Sequence, residues 1–187
     1  MDALTALQQR VSSAILNDPA PTQEQLNELF AAALRAPDHG ALTPWRFLVI
    51  QGNARQRFSD ALFEISKADG RPERVVNKMK KIGLRAPMII VSIASLQDSE
   101  KIPDIEQDWS AVAATQNMLV AAEALDLGAI WRTGWPAFHK QVNQVLGLTE
   151  KEKIVGYLYL GQRPEQRRPI EPLQQEDYVS EWQEDQR

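Results

Sequence analysis

The sequence predicts an α+β protein with a central mixed sheet flanked by helices. Three observations carry that prediction: four apolar runs of strand length, several segments with apolar residues at helical spacing, and a chain of 187 residues with no linker, repeat or low-complexity tract to divide it. A single domain over 1–187 follows, of a size that buries roughly 70% of the surface its unfolded chain exposes.

The elements can be justified in order. Leu4, Leu7, Val11 and Ile15 recur at helical spacing, so an amphipathic helix is expected to run to near Asn17–Pro21. Thr22 opens a second helix: Thr22 and Gln25 stand in capping-box spacing, Leu26, Leu29, Phe30 and Ala33 form the buried stripe, and Pro37 stops it. The loop "RAPDHGALTP" leads into the strand "RFLVIQG", the helix "ARQRFSDALFEISKA" and a shorter basic helix, "RVVNKMKKIG", whose lysines make a solvated face. "APMIIVSIA" is nearly continuous in apolar and β-branched residues, the mark of a strand covered on both faces. From Trp109 to Leu127 a helix is apolar on almost every side and must lie inside the protein or between two chains. Gly128 is expected to end it. "AIWRT" then reads as a strand, "WPAFHKQVNQVLG" as a helix and "KIVGYLYLG" as another buried strand. The Pro-, Gln- and Glu-rich remainder has only Ile170, Leu173, Tyr178, Val179 and Trp182 as anchors, and such a tail needs a partner surface.

Composition narrows the chemistry. At 43% hydrophobic and 25% charged the chain is that of an ordinary globular protein. With no cysteine it has no disulfide and no thiolate ligand or nucleophile, and with two histidines, His39 and His139, a histidine-based zinc site is not expected. A net charge of -4 offers no basic footprint for nucleic acid. The opening "MDALTALQQRVSSAIL" lacks a basic start followed by an apolar run, and no apolar stretch approaches bilayer-spanning length, so a cytoplasmic protein away from the membrane is expected.

The common catalytic signatures are missing: there is no GxGxxG after a strand, no GxxxxGK[ST], no GxSxG and no HExxH. What remains is a set of arginines at element ends: Arg10 near Ser12, Arg35 near His39, Arg132 beside Thr133, and Arg163, Arg167 and Arg168 in the tail. Converging guanidiniums and hydroxyls make an anion site, although each arginine alone reads as an ordinary surface cation. His39 reads most simply as a polar loop residue and His139 as a solvent-facing one. Asp38 and His39 do not make a catalytic dyad, because sequence neighbours rarely point at each other and no nucleophile stands nearby. Trp131 is set apart from the other tryptophans by Arg132 and Thr133 at a strand end, where sites in layered structures tend to form.

Several stretches, in order and spacing, resemble one family: "DALTALQQRVSS", "PAPTQEQL", "RAPDHGALTPWRFLVI", "DWSAVAATQNMLVAAEALDLGAIWRTG" and "KIVGYLYLG" are similar to the FMN-dependent nitroreductases, within them the short YdjA-like NAD(P)H nitroreductase branch. The likeness runs from Met1 to about Gly161. It implies an intertwined homodimer with FMN at the interface, the apolar helix packed there and the tail from about 162 to 187 reaching across. It further implies that Arg10, Val11 and Ser12 meet the phosphate, that Arg35 and His39 contact flavin from the other subunit, and that Trp131, Arg132 and Thr133 lie along the cofactor. NAD(P)H would be the transient electron donor and a nitroaromatic, quinone or other small flat acceptor the oxidant, in a ping-pong reaction with no catalytic residue and no metal, since the cofactor carries the hard chemistry. Two departures stand out. The family's Arg-Arg-Ser-x-Arg start is here Arg10-Val11-Ser12-Ser13-Ala14, which shifts weight onto Arg167 or Arg168, and its Asn-x-Gln before Pro-Trp is Ala41-Leu42-Thr43. The alternatives are a non-catalytic or weakly flavin-binding dimer, or other flavin chemistry such as a dehydrogenase or dehalogenase.

Overall fold

Four strands form one sheet in the order β1-β2-β4-β3, with β1 at Trp45–Gln51, β2 at Met88–Ser95, β3 at Leu127–Arg132 and β4 at Glu152–Gln162. The structure, a computed structural model, describes residues 1–166 and 168–182. All three strand pairings are antiparallel, which corrects the expectation of a mixed sheet. The apolar run of β2 comes from its central place and from helices on both faces, and an antiparallel strand so covered is apolar on both sides too. Toward one face point Ile89, Val91, Ile93, Tyr157 and Tyr159, packed with Phe58 and Leu62 of α3 (Ala54–Ala68). Toward the other point Met88, Ile90, Leu158 and Leu160, packed against α2 (Gln23–Ala33) and α5 (Asp104–Ala124).

Local chemistry accounts for most element boundaries. In α2 the Thr22 hydroxyl accepts from the Gln25 amide (3.2 Å) and the Gln25 side chain accepts from the Thr22 amide (2.9 Å), the reciprocal cap read from the sequence. The α3 helix spans the fifteen residues of the predicted segment. The basic segment forms α4 (Glu73–Met79) and a 3-10 turn at Ile82–Leu84. In α5, Thr115 donates to the Ala111 carbonyl (2.8 Å), which leaves Ser92 of β2 to donate to Thr115 (2.6 Å) in the core between helix and sheet. Among the described residues no helix is long and apolar enough to cross a membrane.

Four expectations are corrected. The first helix, α1, is only Ala3–Gln9. Residues after it leave the helix because strand-type bonds are available: Ser13 N–H donates to the Ala129 carbonyl (2.9 Å), and Asn17 exchanges both backbone bonds with Gln162 (2.9 and 2.8 Å). Gly128 does not stop α5. Asp126 turns the chain in the left-handed region (φ 61), while Gly128 lies inside β3, where a Cβ would come within 2.6 Å of Leu16 Cδ2. Gly161 makes the same room for Asn17, so the two glycines form the floor over which the 13–17 segment crosses the sheet. The segment after Trp135 is not one helix. A 3-10 turn at Trp135–Phe138 and α6 (Lys140–Val145) are separated by His139, whose backbone is extended. Nor does His139 face solvent: its ring stands edge-on to Trp135, and its Nε2 lies 3.1 Å from Asp69 Oδ2.

A charged pair ties the sheet's far corner. Glu152 is buried, accepts from the Thr149 amide (2.8 Å) and is gripped by two nitrogens of Arg46, the outer one at 2.9 Å. Chiefly through the Arg46 hydrogen bonds, the carboxyl is drawn down to about 2. A depressed carboxyl contributes stability above its ordinary value and loses it as pH falls through the folded one. Discounted for the half-exposed Arg46, the contribution is about 2 kcal/mol. Urea titrations between pH 5 and 2 should therefore show a decline that Glu152→Gln reduces by about that amount; equal slopes in the two proteins would contradict the assignment.

Candidate active site at the free edge of β3

The last strand in the sheet order, β3, has one edge unpaired by β4, and its side chains alternate. Trp131 turns toward the α2/α5 layer, and its indole N–H reaches the Val155 carbonyl at 3.3 Å. Gly156 is required beneath it, since a Cβ there would lie 2.0 Å from Trp131 Nε1. Arg132 turns the other way, opposite Tyr157 in register, and with Thr133 lines a cavity of about 280 Å³ between the sheet and the α3–α4 layer. Gly134, at φ 78, then swings the chain so that Trp135 closes the cavity's side.

The Ser13–Ala129 bond brings the segment after α1 to the same edge. Val11 and Ser12, with Ile130 of β3, Arg163 and Arg168, line a second, open cavity of about 430 Å³. Arg10, half-buried, caps the C-terminal end of α1 next to it. Along β3, Ala129 and Arg132 are three residues or about 10 Å apart, so one extended ligand could span both cavities. Arg163 is committed elsewhere: it binds Glu123 (3.1 Å) and Asp126. Arg168 has no ion pair among the described residues; Arg167 lies outside them.

Of the eight predicted residues, Val11 and Ser12 line the outer cavity beside β3 and Arg132 and Thr133 the inner one, while Arg10 adjoins the first pair in the chain and Trp131 turns to the opposite face of the sheet. Arg35 and His39 line neither cavity. Both are exposed, Arg35 just past α2 and His39 in a 3-10 turn, where its Nδ1 sits 2.7 Å from Glu106 Oε2 of α5. Asp38 accepts from the Thr43 amide instead (2.7 Å).

Sequence reasoning missed the inner cavity's other polar groups, Lys78, Arg85, Tyr157 and Tyr159. The signal was the Tyr-x-Tyr alternation in "VGYLYLG", which puts two phenols on one face of a strand. Burial pushes Tyr157 above the usual phenol range and Tyr159 up to about 12, the latter against the opposing pull of Arg85 and Arg132. Both are neutral donors at ordinary pH. Burial, then the charge of Arg85, holds Arg132 below the usual guanidinium range. Among the described residues no cluster of three or more metal-ligating side chains occurs.

The model of the Nitroreductase family matches residues 7–162. The chain belongs to the nitroreductase family. It is 42% identical over 161 residues to the Escherichia coli K12 protein named "Putative NAD(P)H nitroreductase YdjA", a match covering 86% of this chain and 88% of that one. In structure this nitroreductase is similar to a nitroreductase-like family protein from Bacillus cereus, with a TM-score of 0.82 and 24% identity over 97% of this chain and 96% of that one. It is also similar to a nitroreductase with bound FMN from Bacteroides fragilis, with a TM-score of 0.73 and 17% identity over 98% and 100% of the two chains. At these identities the two structures establish the shared fold.

Proposed function

We propose that the protein is an FMN-dependent oxidoreductase that takes electrons from NAD(P)H and delivers them to a nitroaromatic, quinone or similar flat acceptor in ping-pong order. What supports this reading is a pair of cavities along β3, one lined by Val11, Ser12 and Ile130 and the other by Arg132 and Thr133. The names of its relatives support it, and so does the FMN bound in the Bacteroides fragilis structure.

The residues present fit the group. Ser12 and Arg168, which line one cavity, suit a phosphate dianion together with Arg10 two residues before Ser12, for guanidinium and hydroxyl donors are its natural complement. Arg132, half-buried, and Thr133 offer a cation and a hydroxyl at the end of β3, the surroundings that a ring accumulating negative charge on reduction requires. When bound, FMN supplies the two-electron relay between donor and acceptor. The chain's own residues orient it and shield it from water; none is assigned a proton transfer.

The same proposal includes a homodimer. Apolar side chains of the neighbouring helices α1 and α5 lie bare in the single chain: Leu4, Leu7, Ile105, Val112 and Trp109, the last 61% exposed. The tail anchors Leu173 and Trp182 are bare as well. Surfaces of this kind mark interfaces. A second copy would cover them and present Arg35 and His39 to the flavin of the first. Steady-state kinetics with NADPH and a nitroaromatic both varied should give parallel lines, and intersecting lines would contradict alternate occupancy of one site. A rival reading, a non-catalytic dimer that binds flavin weakly or holds another small ligand in its cleft, draws on Val11, Ala14 and Ala41 standing where the family has arginines and an amide; it requires a protein with no flavin band that NADPH bleaches.

A further inference from the structure

The inner cavity carries a one-sided chemistry that the phosphate edge does not use. Three cations line it, Lys78 of α4, Arg85 just before β2 and Arg132 at the end of β3, and among the described residues no carboxylate does. Two of its lining residues each carry a buried polar atom with no hydrogen-bond partner among the described residues: the hydroxyl of Tyr157, a residue only 3% exposed, and the indole Nε1 of Trp135. A buried polar group left unpaired is costly, and cations lining one half-buried cavity repel. Arg132 is held low first by burial and then by the charge of Arg85. Every unmet demand is therefore for an acceptor or a negative charge. The rest of the lining, with Phe58, Leu62 and Met79, is apolar. An inorganic anion would satisfy the first set and waste the second. A ring bearing a carboxylate satisfies both, because its planar oxygens match a guanidinium side by side and accept from a phenol or an indole.

We propose that this cavity binds the carboxylate-bearing ring of an aromatic acid, which makes acidic aromatics the preferred electron acceptors. The binding claim needs no flavin; the acceptor claim rests on the flavoprotein reading above.

The test is calorimetric titration of the purified protein with benzoate, with its neutral isostere benzamide, and with inorganic phosphate. Benzoate should bind roughly tenfold or more tightly than benzamide, and more weakly as salt rises. Arg85→Met should abolish that difference while leaving the flavin content of the protein unchanged. Tyr157→Phe should weaken benzoate severalfold yet not lower the melting temperature of the ligand-free protein, since it removes an unsatisfied hydroxyl. A phenol needed only for packing would show no loss of benzoate affinity. Equal binding of benzoate and benzamide would overturn the proposal. So would preference for phosphate, retention of the difference in Arg85→Met, or benzoate binding that FMN abolishes, which would give the cavity to the cofactor itself. In turnover with NADPH, 4-nitrobenzoate should exceed 4-nitrobenzamide in kcat/KM by a comparable factor, and equality there would overturn the acceptor claim. A protein that binds benzoate through Arg85 but binds no FMN would sink the flavoprotein reading and leave the binding claim standing.

Discussion

Trp109→Glu should release the protein as monomers and strip it of flavin. Trp109 lies on the outer side of α5, next to Ile105 and Val112 and beside the bare apolar residues of α1. An aromatic anchor at the centre of an interface is worth 2 kcal/mol or more, so dimerisation should weaken roughly thirtyfold or more, and a carboxylate placed there adds a desolvation cost. Because Arg35 and His39 sit apart from the β3 edge in one chain, they can serve a flavin only from the second copy, and the FMN content should fall together with the dimer. Sedimentation velocity with a visible-absorbance trace reads both. A variant that remains dimeric would place the interface elsewhere, and a monomeric variant that keeps its flavin would show that one chain suffices.

Leu158→Ala should cost about 3–4 kcal/mol of folding stability, read as a shift in the urea midpoint at unchanged slope. Leu158 is fully buried in the middle of β4, the strand between β2 and β3, among Met88, Leu160 and Met118. A void there has well-packed walls on the helical side and a hydrogen-bonded sheet beneath, so little can collapse into it. Its partner across the register is Trp131, and flavin affinity should drop as well if that residue holds the cofactor. A loss below 1 kcal/mol would mean that the α5 layer is looser than its packing implies.

What could be read in the sequence follows from where the relevant physics is local. The range of α3 and the reciprocal cap of α2 were legible because periodicity and capping are properties of neighbours in the chain. The burial of β2 was legible from composition, but strand direction was not, because helices on both faces produce the same run in either sense. The extended 11–17 segment was invisible for a different reason. Its apolar spacing is helical, and only the backbone bonds offered by Ala129 and Gln162, more than a hundred residues away, make the extended form preferable. His139 was misread because Asp69 and Trp135 reach it through the fold and not along the chain.

The site divides in the same manner. Arg10, Ser12 and Arg132 could be singled out as donors at element ends, but the cavities that Ser12 and Arg132 line are products of the sheet. Most of the inner cavity was missed, since Lys78, Arg85 and Tyr157 belong to separate segments and each is unremarkable alone. Its cationic character arises only once the α3–α4 layer is laid over β3 and β4.

The most direct measurement is the visible spectrum of the purified protein, supplemented with FMN, before and after anaerobic addition of NADPH. A flavin band that travels with the dimer on gel filtration, bleaches with one equivalent of NADPH and returns on adding a nitroaromatic is the result this account predicts. A protein that stays colourless in the presence of FMN, or a bound flavin that NADPH leaves oxidised, would contradict it.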